Sequence, residues 1–328
     1  PYRRQRQMCI RDRDKTETPP RGFEKIGENE NYNIYRNNYS MPLGVVIDQT
    51  ISIEDFEKLS IRQKDVALLN CIVSDDIQES NLTQYQNELN VESEEITLEE
   101  MYLEGITLAG KNDMYEIQCE SEDFNRICLQ TKDMQWTEDN EYIVSFKIYS
   151  PTENSIFIQW NEGDVWKQKI ISVTEGMNNV NFTIDYKNTD TLCMYFQKGT
   201  YQIGNLHYES SSEDAIDEVY QSGISEKSFL QMDTYENNLI TGTIETEKDS
   251  FLLFMIPFDK NWELYVDGKE AQLQQVDYGF MGSRIAAGNH AIKLDYVPDS
   301  NAIPVYISIV GIILLAGHIL LLKKKSRG

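Results

Sequence analysis

Any reaction carried out by this chain would have to be built from carboxylates, because little else of suitable reactivity is present. The 328 residues hold 54 Asp and Glu against three His and five Cys. Paired carboxylates are the machinery of glycoside hydrolysis, but here the acids are dispersed and no pair stands out by spacing. No Ser/His/Asp or Cys/His arrangement, P-loop, zinc pattern or EF-hand loop occurs. Three histidines also argue against a histidine-based metal site. The expectation is therefore that the chain supplies no catalytic residue and needs neither metal nor cofactor. Trp136, Trp160 and Trp166 have the chemistry of a sugar-stacking platform, yet aromatics that alternate along strands are more often core or cross-strand residues.

Charge narrows the partners. Of the formal net charge of -24, the tail contributes +4 and the first 13 residues +4, which leaves -32 for Asp14 to Asn301. Such a surface repels nucleic acid and anionic lipid headgroups, so no nucleic-acid partner is expected.

The elements that would position these residues are mostly strands. Between Asn112 and Tyr208 apolar and polar residues alternate in eight short runs, from MYEIQCE to YQIGNLHYE, with turn residues between them. This pattern predicts a β-sandwich or jelly roll over residues 112–209. Ser211 and Asp214 are expected to cap a short helix on whose face Ile216, Val219 and Tyr220 lie. The helix opens a second β unit over residues 210–301. There Phe251 to Ile256 form a continuous apolar run suited to a central strand buried on both faces. Asp267-Gly268 is a strong type I′ hairpin signal, and Gly288-Asn289 supplies another tight turn.

Upstream, residues 22–111 read as a small α+β part. Short strands lie in YNIYRNN and PLGVVID, a capping box joins Ser52 to Asp55, and a second helix runs from Ile61 to Ile72. The stretch from Asp76 to Lys111 is rich in Glu and Asn and reads as a polar linker. Residues 1–21 are expected to be a non-native leader, with the protein itself beginning around Asp14 and lacking its N-terminus. Cys9 lies in that leader, Cys71 stands apart, and Cys119 and Cys128 either pair across neighbouring strands or remain buried thiols.

From Ala302 to Leu322 there is no Asp, Glu, Lys or Arg, and 21 residues of helix rise about 31 Å, enough to cross a bilayer. Lys323, Lys324, Lys325 and Arg327 follow at once. By the positive-inside rule the tail 323–328 is cytoplasmic and everything before Ala302 lies outside. His318 sits close enough to that basic run to reach the interface, and no function is assigned to it. The expected class is thus mainly β, an extracytoplasmic jelly-roll or β-sandwich with a second β-sheet unit, a small α+β N-terminal part and one C-terminal transmembrane helix.

The run IPFDKNWELYVDGKEAQLQQVDYGFMGSRIAAGNHAIKLDYVP closely resembles the C-terminal pattern of bacterial YfhO-type membrane proteins. The matching positions are Pro257, Asp259, Lys260, Trp262, Asp267, Gly268, Gly279, Phe280, Met281, Gly282, Gly288, His290, Tyr296 and Pro298. Tyr35, Asn37, Pro42 and Gly44 look like the family's entry into the same external domain. The family resembles polytopic glycosyltransferases of the GT-C architecture, which take sugar from a polyprenyl-phosphate carrier outside the cell and modify envelope glycopolymers such as lipoteichoic acid. The acidic catalytic residues of that architecture lie on early external loops absent from this sequence, so none is carried over.

The resemblance implies substrate contact at Asp259, Lys260, Trp262 and His290, although core packing and surface hydrogen bonding account for the same residues. Asp267, Gly268, Gly282 and Gly288 are expected to be structural turn residues. The implied partners are the lipid bilayer and, through the absent part, an envelope glycopolymer or polyprenyl-phosphate sugar. The expected function is the non-catalytic external region of a membrane glycosyltransferase-like protein. The alternative is a single-span surface adhesin or receptor ectodomain that binds carbohydrate or protein.

Overall fold

The computed structural model describes residues 10–14, 22–298 and 315, apart from the short stretches 77–81, 111–113, 123–124, 132–135, 138, 163–164, 186–188 and 226–227. The expected span Ala302–Leu322 falls outside the described residues except for Leu315. Among the described residues no helix is long and apolar enough to cross a membrane. Cys9 also lies outside them. Ile10–Asp14, within the expected leader, is a strand that pairs antiparallel with Tyr32–Asn37.

The chain is mainly β. Each of the eight alternating runs forms strands, the last one as two, Gly199–Gly204 and Leu206–Ser212. They make two facing sheets. One is seven-stranded, with Asn140–Ser150 at its centre flanked by Gly176–Asp185 and Leu206–Ser212. The other runs in the order Val165–Val173, Asn154–Glu162, Thr191–Tyr195, Arg126–Gln130, Tyr102–Glu104. Their inner faces close on one core that includes Ile117, Ile127, Ile148, Ile156, Ile158, Phe182 and Ile203. The stretch read as a linker contributes to this sandwich: Glu92–Ile96, Tyr102–Glu104 and Ile106–Ala109 are strands on its sheets. Four of the five residues in Glu92–Ile96 are exposed, so the strand is held by its ladder to Leu206–Ser212 and its side chains carry little burial signal.

The last quarter builds a second pair of sheets. The first has the order Gln231–Tyr235, Leu239–Thr246, Gly288–Tyr296, Trp262–Val266, Lys269–Ala271, and the second Gln274–Val276, Phe280–Ile285, Ser250–Pro257, Gly44–Ile47. Phe251 and Leu253 face one cluster with Val45 and Ile47, while Leu252 and Phe254 face another with Leu264 and Leu294. The apolar run is therefore buried on both faces, as its composition predicts. Its edge partner Gly44–Ile47 comes from the N-terminal part, so the sandwich is inserted into a frame made from both ends of the chain.

Three helices tie sandwich to frame: α1 (Ile53–Lys58), α2 (Ile61–Asn70) and α3 (Glu213–Ser225). The reciprocal capping box lies at Ser60 and Gln63, on α2; Ser52 accepts from the Asp55 amide on α1, but the Asp55 carboxylate returns to the Ser52 hydroxyl. Ser211 pairs with Glu141 in the sheet ladder, so α3 begins after Ser212 and Ser211 is not its cap. Val66 of α2 packs with Leu89 and with Ile216 and Tyr220 of α3.

Candidate functional site

Asp267 and Gly268 take φ of 51° and 76°, the left-handed pair that a type I′ turn requires. One Asp267 carboxylate oxygen accepts from the Ala291 amide at 2.9 Å and the other lies 2.7 Å from His290 Nδ1. The His290 contact first, and the backbone N–H second, hold the Asp267 carboxyl below the usual carboxylate range. His290 Nε2 lies 3.0 Å from the Ala286 carbonyl oxygen, so its two ring nitrogens are engaged by two neighbouring turns.

At the opposite end of Trp262–Val266, Asp259 accepts from the Asn261 amide at 2.9 Å and from the Tyr296 hydroxyl at 3.2 Å. The Trp262 ring meets Tyr296 edge-on at 5.0 Å. Lys260 is exposed in the turn between them. The four residues with implied substrate contacts therefore fall in two groups at the two ends of one strand, and Asp259, Trp262 and His290 are engaged in internal packing or hydrogen bonds. Gly288 opens its strand with φ 136°. Gly282 is not a turn residue. It lies within Phe280–Ile285, opposite Leu253, where a Cβ would stand 2.3 Å from a Phe251 ring carbon and 2.6 Å from the Leu252 carbonyl oxygen. Close approach of strand and ring, and not turn geometry, demands the glycine.

Of the three tryptophans, Trp136 is buried, stacked 4.2 Å from Tyr142, and Trp160 packs against the sandwich core. Trp166 alone is exposed, at 59%. It lies on the outer face of the five-stranded sheet, and the register reveals what shares that face. One row reads Ile170, Phe157, Tyr195, Arg126, Glu104; the next reads Gln168, Gln159, Cys193, Cys128, Tyr102. Trp166 stands opposite Asn161 in the row beyond. Ile170, Phe157 and Tyr102 are exposed. The Arg126 guanidinium bridges Glu104 at 2.5 Å and lies 5.9 Å from the centre of the Tyr195 ring. Asn161 is spent on structure, accepting from the Asp190 and Thr191 amides. Alternation along each strand signals two faces, but only the register shows which aromatics stand side by side.

Cys128 and Cys193 are direct partners in the ladder and form a disulfide. Cys119 lies on a strand of the other sheet and is a buried free thiol, which excludes the Cys119–Cys128 pairing. Burial pushes the Cys119 thiol up to about 12, so it is unreactive at neutral pH. A polar cleft of about 480 Å³ opens where α2, α3 and the 246–250 loop meet. Its Lys248 bridges Asp48 at 2.5 Å, and Thr246 and Ser250 both donate to the Lys248 carbonyl. Among the described residues no group of three or more His, Cys, Asp or Glu is placed to hold a metal.

Similar proteins sharpen this picture. The family model described as bacterial membrane protein YfhO matches residues 4–308. A protein of Bacillus subtilis (strain 168), named uncharacterized protein YfhO, is 25% identical over 305 residues, covering 92% of this chain and 33% of that protein. The chain thus spans about a third of the length of that curated relative. Among solved structures, a family 29 carbohydrate binding module shares 13% identity over 37% of this chain and 90% of its own, at a TM-score of 0.30. The C-terminal CBM6 of LamC from Zobellia galactanivorans shares 12% over 36% and 98%, at 0.29. Likenesses this distant carry no functional weight, whereas the family match spans nearly the whole sequence: this chain belongs to the YfhO family of bacterial membrane proteins.

Proposed function

We propose that this region is the extracytoplasmic, non-catalytic part of a polytopic membrane protein that glycosylates cell-envelope polymers such as lipoteichoic acid from a polyprenyl-phosphate sugar, and that it positions the acceptor. The observation that carries the external placement is the Cys128–Cys193 disulfide, formed by direct ladder partners in the middle of a sheet. Such bonds persist in oxidising compartments and are rare in the cytosol. The apolar stretch Ala302–Leu322, followed at once by four cationic residues, supports the same orientation. Family membership supports the link to glycosylation. Chemistry on a polyprenyl-phosphate carrier needs acidic groups held at the membrane surface among several spans, whereas the sequence supplies one apolar stretch of spanning length, Ala302–Leu322.

The test incubates this chain in vesicles with a labelled polyprenyl-phosphate sugar and envelope polymer, beside the full-length protein. Transfer by the full-length protein and none by the chain alone is expected. Transfer by the chain at a comparable rate overturns the non-catalytic reading, and transfer by neither favours the adhesin alternative.

A further inference from the structure

We infer that the outer face of the five-stranded sheet binds a neutral, polyhydroxylated glycan chain, gripping sugar rings and not a phosphate backbone. This narrows the acceptor-positioning role above to neutral envelope glycans, a polyanion such as lipoteichoic acid being excluded from this face, and rests on that reading only for the identity of the glycan in the cell.

Three features of the face carry the inference. Its large flat side chains stay in water: Trp166 is 59% exposed, Tyr102 56% and Phe157 39%, with Ile170 at 58% beside them. Large apolar side chains left exposed together on one sheet face mark an interaction surface, and aromatic faces match the apolar faces of sugar rings. Between the rings stand Gln168 and Gln159, directly opposite one another, and Gln130 one row on. Side-chain amides donate and accept at once, which suits hydroxyl groups that do the same. A protein partner would instead call for an apolar centre not broken by amides.

Charge selects the kind of glycan. The only cation in the two register rows, Arg126, is already bridged to Glu104 and laid over Tyr195. Lys167 and Lys169, on the edge strand, alternate to the opposite side of the sheet. The face is electrically balanced in a chain of net charge -24, so it offers a polyphosphate nothing to bind and a field that repels it. The length of the site follows from the topology. From the strand of Trp166 to that of Tyr102 there are four inter-strand steps, roughly 19 Å, which suits several linked sugars better than one.

The test uses the whole 328-residue chain in a polyoxyethylene detergent, free of sugar headgroups, run by affinity electrophoresis through gels containing a soluble neutral β-glucan, a neutral galactan, or sugar-free polyglycerol phosphate. Retardation by at least one neutral polymer, and none by the polyanion, is expected. Trp166→Ala and Phe157→Ala should each weaken binding about five- to tenfold. Tyr149→Ala and Met177→Ala, exposed on the other sheet, should leave it unchanged. Absence of retardation by both neutral polymers, wild-type binding by the Trp166 and Phe157 variants, or preference for the polyanion each overturns the inference. Glycan binding without transfer by the full-length protein would keep this site and remove the transferase reading; the reverse result would do the opposite.

Discussion

Replacing both Cys128 and Cys193 by Ala removes a crosslink without leaving a reactive thiol, and the topology sets how much stability should go with it. The two cysteines are 65 residues apart in sequence. Between them lie four of the longest strands of the sandwich, Asn140–Ser150, Asn154–Glu162, Val165–Val173 and Gly176–Asp185. In the unfolded chain the bond therefore closes a long loop, and the chain-entropy relation assigns such a loop about 4 kcal/mol. Spread over sandwich and frame unfolding as one unit of roughly 250 residues, that is a fall in melting temperature of roughly 10 °C. Calorimetry of wild type and double variant measures it, with a thiol-blocking digest as the covalent check. The digest should yield a Cys128–Cys193 linked peptide and an alkylated Cys119. A fall of less than about 3 °C would refute the loop-closure reasoning, and a Cys119–Cys128 linked peptide would refute the register itself.

Arg62, 2% exposed, pairs with Glu141 and lies 3.7 Å from Asp65, so Arg62→Ala should cost about 3–5 kcal/mol in urea unfolding. Arg62→Met with Glu141→Leu should recover much of that loss. Gly282→Ala drives a Cβ into Phe251 and should cost about 1–3 kcal/mol. Gly268→Ala meets open space and pays only for its φ of 76°, about 1 kcal/mol. Because the Asp267 carboxyl is held below its ordinary value of 3.8, its stabilising contribution is complete above about pH 4 and is lost as pH falls through the lowered value. Asp267→Asn should flatten the acid limb of the stability profile of the second sheet pair, followed by hydrogen exchange.

Much of the architecture was legible because burial leaves a period in the sequence. FLLFMI reads as two-sided since every residue must be apolar there, and Asp267-Gly268 reads as a turn since few other pairs accept its backbone. What stayed hidden depends on register or on backbone alone. Glu92–Ile96 buries only Ile96, so its strand leaves no side-chain period and looks like linker. Gly282 looks like a turn glycine because sequence cannot distinguish a demand for positive φ from a demand for empty space. The Cys128–Cys193 pairing needs the alignment of two strands 65 residues apart, and so does the meeting of Phe157 with Tyr195. Asp259 and His290 look like neighbours in a motif, but the strand between them puts them at opposite ends.

The attachment of sandwich to frame bears on what a glycan held on the outer face would experience. The first two amides of α2, from Ile61 and Arg62, both donate to the Glu209 carboxylate of the sandwich, where the positive end of the helix favours an anion. Arg62 reaches across to Glu141 on the central strand. On the other side Tyr39 donates to Asp217 of α3 at 2.8 Å and stacks on Tyr220 at 5.1 Å. Buried charge, helix cap and ring stack all cross the same junction, so the sandwich is fixed to the frame and is not a module on a tether. The frame ends in Gly288–Tyr296, five residues before the apolar stretch begins. A glycan on the Trp166 face is then held in a fixed relation to the closing strand Gly288–Tyr296. Loosening the junction with Arg62→Ala should impair acceptor use by the full-length protein while leaving glycan affinity of the face intact, which separates positioning from binding.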